Sequence, residues 1–177
     1  YEPIKANSAL CLLAIGLALC LDIRGHVRAA WLGLVPLLLG ALTSLQYLLG
    51  ADFGIDQLLA RDHLAGAAVL HPGRMMPVSA LCFVLAGCVL LPALGRRSSR
   101  RALGYALVGS IFAAIGAAGI FRHVLSLPSG MGWGPAGAFA PYASSFGLLA
   151  GLAFLASAWR IHETNTPAPP TWLPLPV

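Results

Sequence analysis

Apolar residues run through the chain in five blocks, at about 7–23, 30–49, 76–95, 102–125 and 141–159, and each block is broken off by a cluster of charge, Pro or Gly. Blocks of this length approach the ~20 residues that an α-helix needs to cross a bilayer, so the pattern predicts five transmembrane helices. The polar stretch from Gly50 to Arg74 is the longest connection. Within it Ile55, Leu58, Leu59 and Asp62 keep helical spacing, which predicts a short amphipathic helix lying on the membrane surface.

Composition agrees with that pattern. Of 177 residues, 58% are apolar and 10% charged, and the mean hydropathy is +0.81, values that exclude a soluble globular domain, a disordered tail, a collagen and a disulfide-knotted toxin. The net charge of +5 lies in short loops between apolar blocks, where membrane orientation accounts for it, and no nucleic-acid partner is implied. Cys11, Cys20, Cys82 and Cys88 all fall inside predicted spans without CxxC spacing and read as small apolar residues.

The basic residues also orient the chain. Arg24 and Arg28 follow the first block, Arg96, Arg97, Arg100 and Arg101 follow the third, and Arg160 ends the fifth, which places these ends in the cytoplasm. Lys5, the 50–74 stretch and an uncharged loop over 126–140 then face outward. The expected architecture is an all-α integral membrane bundle of five visible helices, N-terminus outside and C-terminus cytoplasmic. An outside N-terminus requires a cleaved signal or an earlier helix, and the start at Tyr1 favours the helix.

An internal repeat organises the blocks. Ser8-Ala9-Leu10-Cys11 recurs as Ser79-Ala80-Leu81-Cys82 at an offset of 71 (79 − 8), which also carries Gly16 onto Gly87. A weaker third copy opens at Ala140-Pro141, matching Met76-Pro77, with Gly151 on Gly87 at an offset of 64 (151 − 87). The even helices echo each other too: Gly40-Ala41 with Gln46-Tyr47 parallels Gly116-Ala117 with Arg122-His123 at an offset of 76 (116 − 40). The reading is a membrane domain over 1–163 made of two-helix parallel repeats, about 5–74, 75–138 and 139–163. After it come a Pro-rich linker at 164–177 and, from Trp172, the opening of a further helix, so the chain is expected to continue beyond Val177.

Several of these segments resemble a known family. Pro3-Ile4-Lys5-Ala6-Asn7-Ser8-Ala9-Leu10-Cys11, Gly54-Ile55-Asp56-Gln57-Leu58-Leu59, Pro72-Gly73-Arg74-Met75-Met76-Pro77 and Arg160-Ile161-His162-Glu163-Thr164-Asn165 together resemble the membrane-embedded N-terminal sensory region of bacterial PAS-containing histidine kinases and diguanylate cyclases. The resemblance covers nearly the whole chain. It implies a sensory module in the bacterial inner membrane, dimerising through an output domain downstream of Val177. Where that family often opens the third repeat helix with Met and His, this chain has Phe139 and Tyr142, so no role for that His carries over.

Candidate chemistry is sparse. Arg122 and His123 are ionisable residues inside a predicted span and must face a partner, a cavity or the interface; snorkelling to the outer headgroups is the structural alternative. Gln46 and Tyr47 occupy the equivalent place on the second helix. With Asp56, His71, Arg74 and Trp133 from the outward connections they make up the candidate ligand site, for a small apolar or anionic molecule, a lipid or a quinone. Only His71 with His123 approaches a bis-His haem arrangement, no cluster has zinc spacing, and no cofactor is predicted. Asp22 reads as an interfacial partner of Arg24. Small residues at four-residue spacing, Ala143-Gly147-Gly151 and Ser8-Leu12-Gly16, are candidates for close helix packing. No nucleophile, phosphate loop or carboxylate pair suggests catalysis in these residues. The alternative function is a non-catalytic subunit of a larger respiratory or photosynthetic membrane complex, binding haem, quinone or pigment.

Overall fold

The computed structural model describes residues 4–60, 72–91, 99–125 and 141–165. Among them the chain is all helical: α1 (Ala6–Ile23), a 3-10 turn (Val27–Gly33) leading into α2 (Leu34–Leu49), α3 (Pro77–Leu90), α4 (Ser99–Val124) and α5 (Pro141–Asn165). Four segments are long and apolar enough to cross a membrane, Ala6–Ile23, Ala30–Leu49, Ser99–Val124 and Pro141–Thr164, which marks the chain as a membrane protein. Helix α3, at 14 residues, rises about 21 Å, short of the ~30 Å hydrocarbon core. The predicted block 76–95 extends further, into residues outside those described.

Local chemistry explains the element ends. Pro36 has no N–H to donate to the preceding turn, so the predicted span 30–49 begins as a 3-10 turn and becomes α-helical only around the proline. Gly50, left-handed at φ 62°, ends α2 and returns its N–H to the Gln46 carbonyl. Pro77 occupies the first turn of α3, where a missing N–H costs nothing.

The interior is rich in small and aromatic residues, while many leucines face out. Leu13, Leu48, Leu81, Leu107 and Leu149 are all exposed, as expected when the surroundings are lipid and burial of leucine gains little. Inside, an aromatic chain links three helices: Phe83 of α3 lies 6.3 Å from Phe112 of α4, which lies 6.1 Å from Phe154 of α5, itself edge-on to Tyr105 at 5.4 Å. Cys11, Ile15, Ala18 and Leu19 bring one face of α1 into the same core. All four cysteines are free thiols, Cys11 and Cys82 buried, Cys20 and Cys88 exposed.

Two antiparallel pairs pack backbone to backbone. Between α4 and α5, a Cβ on Gly116 would lie 2.7 Å from the Ser144 carbonyl, and one on Gly151 would lie 2.7 Å from the Gly109 carbonyl. Between α2 and α3, a Cβ on Gly40 would lie 2.6 Å from the Ala80 carbonyl, and one on Gly87 would lie 2.7 Å from the Gly33 carbonyl. Only glycine permits these approaches. The row in contact on α5 is thus Ser144-Leu148-Gly151-Leu155, not the expected Ala143-Gly147-Gly151, because a Cβ on Gly147 would meet only the Gly116 Cα at 3.9 Å. The Ser8-Leu12-Gly16 row on α1 also differs from expectation: a Cβ on Gly16 would touch nothing within 4 Å.

Candidate functional site

At the end where α2 gives way to α3, the connection folds back on itself and buries charge. Asp56 and Arg74 are 6% and 5% exposed, and Arg74 Nε donates to Asp56 Oδ2 at 2.7 Å. The guanidinium also reaches the Ala51 carbonyl at 3.4 Å and Asp52 Oδ1 at 3.7 Å, and it lies 5.4 Å over the Tyr47 ring. Gln46, fully buried in the last turn of α2, donates its amide to Asp56 Oδ2 at 3.1 Å and to Asp52 Oδ1 at 3.3 Å.

The backbone around this cluster is tied down on three sides. Asn7, buried in the first turn of α1, donates to the Ile55 carbonyl at 3.0 Å, and the Tyr47 hydroxyl donates to the Met75 carbonyl at 3.0 Å. Asp52 Oδ1 accepts the Gly54 N–H at 2.9 Å in a tight turn. Gly73, at φ 80°, brings the two arms of the connection together so closely that a Cβ there would lie 2.5 Å from the Asp56 carbonyl oxygen. Burying an ion pair is tolerable only when such hydrogen bonds accompany it.

Three buried polar atoms here have no hydrogen-bond partner: Gln46 Oε1, Asp56 Oδ1 and Thr43 Oγ1, the last one turn below Gln46 on α2. The first two are acceptors, and buried acceptors call for an N–H or O–H. The arrangement therefore suits a small hydrogen-bond donor held beside a neutralised ion pair. It contains no nucleophile paired with a base.

Gln46, Tyr47, Asp56 and Arg74, four of the eight candidates, thus meet in one cluster. Arg122 and His123 sit on a different helix from the residues of the cluster. They lie half-buried in the last turn of α4, a helix that packs chiefly on α5. His71 and Trp133 lie outside the described residues, and with His71 goes the haem pairing. Residues 51–60 form turns and irregular backbone, so the amphipathic helix expected from Ile55 does not begin there; Asp56 and Gly54 are spent on the turn instead. The remainder of that expectation, through Asp62, lies outside the described residues. No group of three or more His, Cys, Asp or Glu among the described residues is arranged to hold a metal.

Asn7 and Thr43 were not among the candidate site residues, although a polar residue inside an apolar helix is itself a signal. A second cluster, at the opposite end, was also missed. Arg101, read as a loop residue, is buried in α4, where it pairs with Asp22 of α1 at 2.7 Å and donates to the Tyr105 hydroxyl at 3.1 Å. Asp22 thus has a partner across the bundle besides any neighbour in its own loop. Arg160 of α5 donates to the Ile23 carbonyl at 3.2 Å nearby.

One contact separates shape from hydrogen bonding. Tyr47→Phe keeps the ring under Arg74 and removes only the hydroxyl bond to Met75, so the expected loss is about 1 kcal/mol, read as a small drop in the midpoint of thermal unfolding in lipid nanodiscs. A loss as large as that of Tyr47→Ala would show that the hydroxyl, not the ring, holds the connection.

Compared with protein-family models, curated proteins and solved structures, the chain matches none.

Proposed function

We propose that this chain is the membrane-embedded sensory module of a bacterial inner-membrane signalling protein, and that a small molecule with O–H or N–H donors, such as a quinol or a lipid headgroup, binds at the Gln46–Asp56–Arg74 cluster. The observation that carries this reading is the cluster itself: a buried ion pair, tied to α1 and α2 by Asn7, Gln46 and Tyr47, with unpartnered acceptors on Gln46 and Asp56. A ligand that satisfies those acceptors shifts the connection, and through Tyr47 and Asn7 it biases α2 against α1 and α3. Such a shift becomes a signal only if the two states differ in ligand affinity.

The remaining features of the reading follow. The distribution of Arg and Lys supports an outer position for the cluster and a cytoplasmic one for the Asp22–Arg101 end. The two-helix repeat is supported by contacts that recur with it: Gly33 and Gly40 correspond to Gly109 and Gly116 at the offset of 76, and Gly87 corresponds to Gly151 at 64. The tight pairs, α2 with α3 and α4 with α5, straddle the sequence repeats. Dimerisation would come through an output domain beyond Val177.

The test uses the natural polypeptide in nanodiscs, titrated with a short-chain ubiquinol and, separately, with anionic lipid, while intrinsic tryptophan fluorescence and thermal unfolding are followed. Saturable binding of one of them that is lost in Gln46→Leu, in a protein that still unfolds cooperatively, is the expected result. Binding unaffected by Gln46→Leu, or no binding of either probe, would reduce the cluster to a structural lock. Copurification with unrelated membrane subunits instead of an attached output domain would favour the complex-subunit alternative.

A further inference from the structure

Helix α1 carries a stripe that its two sequence relatives use for helix packing and that α1 leaves uncovered. At the offset of 71, Ala9, Leu13, Gly16 and Cys20 correspond to Ala80, Val84, Gly87 and Leu91 in and just after α3, and at the further offset of 64 these correspond to Ser144, Leu148, Gly151 and Leu155 of α5. In both relatives these positions meet the glycine-bearing helix that comes before them. Gly40 abuts the Ala80 carbonyl and the Val84 nitrogen as Gly116 abuts the Ser144 carbonyl and the Leu148 nitrogen. A Cβ on Gly33 would lie 3.4 Å from the Leu91 nitrogen where one on Gly109 would lie 3.0 Å from the Leu155 nitrogen, and a Cβ on Gly87 or Gly151 would abut the carbonyl of the glycine opposite.

On α1 the same four residues are all exposed, Leu13 at 66%. The opposite face, with Asn7, Cys11, Ile15 and Leu19, is already in the interior. A glycine in mid-helix costs helix propensity, and in lipid its return is the close approach of another backbone. Gly87 and Gly151 have that return; Gly16 does not.

We infer that Ala9, Leu13, Gly16 and Cys20 form the docking face for a further membrane-spanning helix of the α2 and α4 kind, supplied by the polypeptide on the N-terminal side of α1. The contacts specify the occupant. It runs antiparallel to α1 and carries two glycines seven residues apart, the spacing of Gly33 with Gly40 and of Gly109 with Gly116 (40 − 33, 116 − 109). Among the described residues a second copy has no such helix to offer, because α3 and α5 already cover both of its glycine pairs. In both existing pairs the glycine helix precedes its partner in the chain, and the same order puts the missing one before α1. The bundle then holds three like pairs. This inference rests on the repeat and is independent of what the Asp56 cluster binds.

The test is photo-crosslinking of the natural full-length polypeptide in its membrane. Benzoylphenylalanine replaces Leu13, or, as a lipid-facing control, the exposed Leu107 of α4, and the products are mapped by mass spectrometry. Leu13 is expected to cross-link within its own chain, to an apolar helix before α1 that holds two glycines seven apart, and Gly16→Leu is expected to abolish that product while the lipid adducts at Leu107 persist. Capture of a second copy, of a separate polypeptide or of lipid alone at Leu13 would overturn the inference. A natural polypeptide with no apolar helix before α1 would overturn it as well. The mapping at Leu13 needs no variant at Gly16, so it decides the question even if Gly16→Leu fails to fold.

Discussion

Asp56→Ala is expected to destabilise the bundle by about 3–5 kcal/mol, because it leaves the Arg74 guanidinium buried without its counter-charge. Arg74 has little alternative. Its side chain is 2% exposed, and its other acidic neighbour, Asp52, is 3.7 Å away and two-thirds exposed, where pairing contributes at most about 1 kcal/mol. Gln46 would lose an acceptor in the same step. The measurement is the free energy of unfolding in mixed micelles, taken as a double-mutant cycle with Arg74→Met. Removing both charges should recover most of the loss, since an apolar pair of similar size carries no uncompensated charge. If the two single losses simply add, Asp56 and Arg74 are not acting as a pair and the account of this end of the bundle is wrong.

Gly151→Leu is expected to separate α4 from α5 and prevent recovery of a folded protein. Even Gly151→Ala places a methyl against the Gly109 carbonyl and the Ala113 backbone, not against a side chain that can rotate away. Overpacking typically costs about 1–3 kcal/mol when neighbours can adjust, and rigid helix backbone puts Gly151→Ala at the upper end of that range. The control lies four residues away: a Cβ on Gly147 would meet only the Gly116 Cα, at 3.9 Å, so Gly147→Ala should leave stability nearly unchanged. Comparing the two alanine variants by thermal unfolding in nanodiscs separates a glycine required by packing from one that is merely tolerated. Equal effects would show that the helices are not in the register found here.

How much of this was legible beforehand differs from element to element. The five apolar blocks correspond to five helices, because the cost of exposing backbone polar groups to lipid leaves a long apolar segment no other local choice. Gly50 and Pro77 are capping residues whose roles follow from single-residue conformational preferences. The candidate site was legible in part. Gln46, Tyr47, Asp56 and Arg74 stood out as polar groups near one end of a span, and so did Arg122 and His123, by the same criterion. What separated the two sets is azimuth and register, and hydropathy reports neither. Arg101 shows the same gap: it follows three other arginines in a basic run, yet its place on α4, one turn before Tyr105, turns it inward to Asp22.

From the sequence alone came the five apolar helices and their order along the chain, because each depends on local composition. The tertiary structure decided which glycines touch, which charges pair and that residues 51–60 turn back instead of forming a surface helix. Those outcomes depend on distances between segments far apart in the chain. Asp56 reaches Arg74 only because Gly73 lets the two arms of the connection close, and Gly116 meets Ser144 only because two antiparallel helices settle where their backbones can approach most nearly.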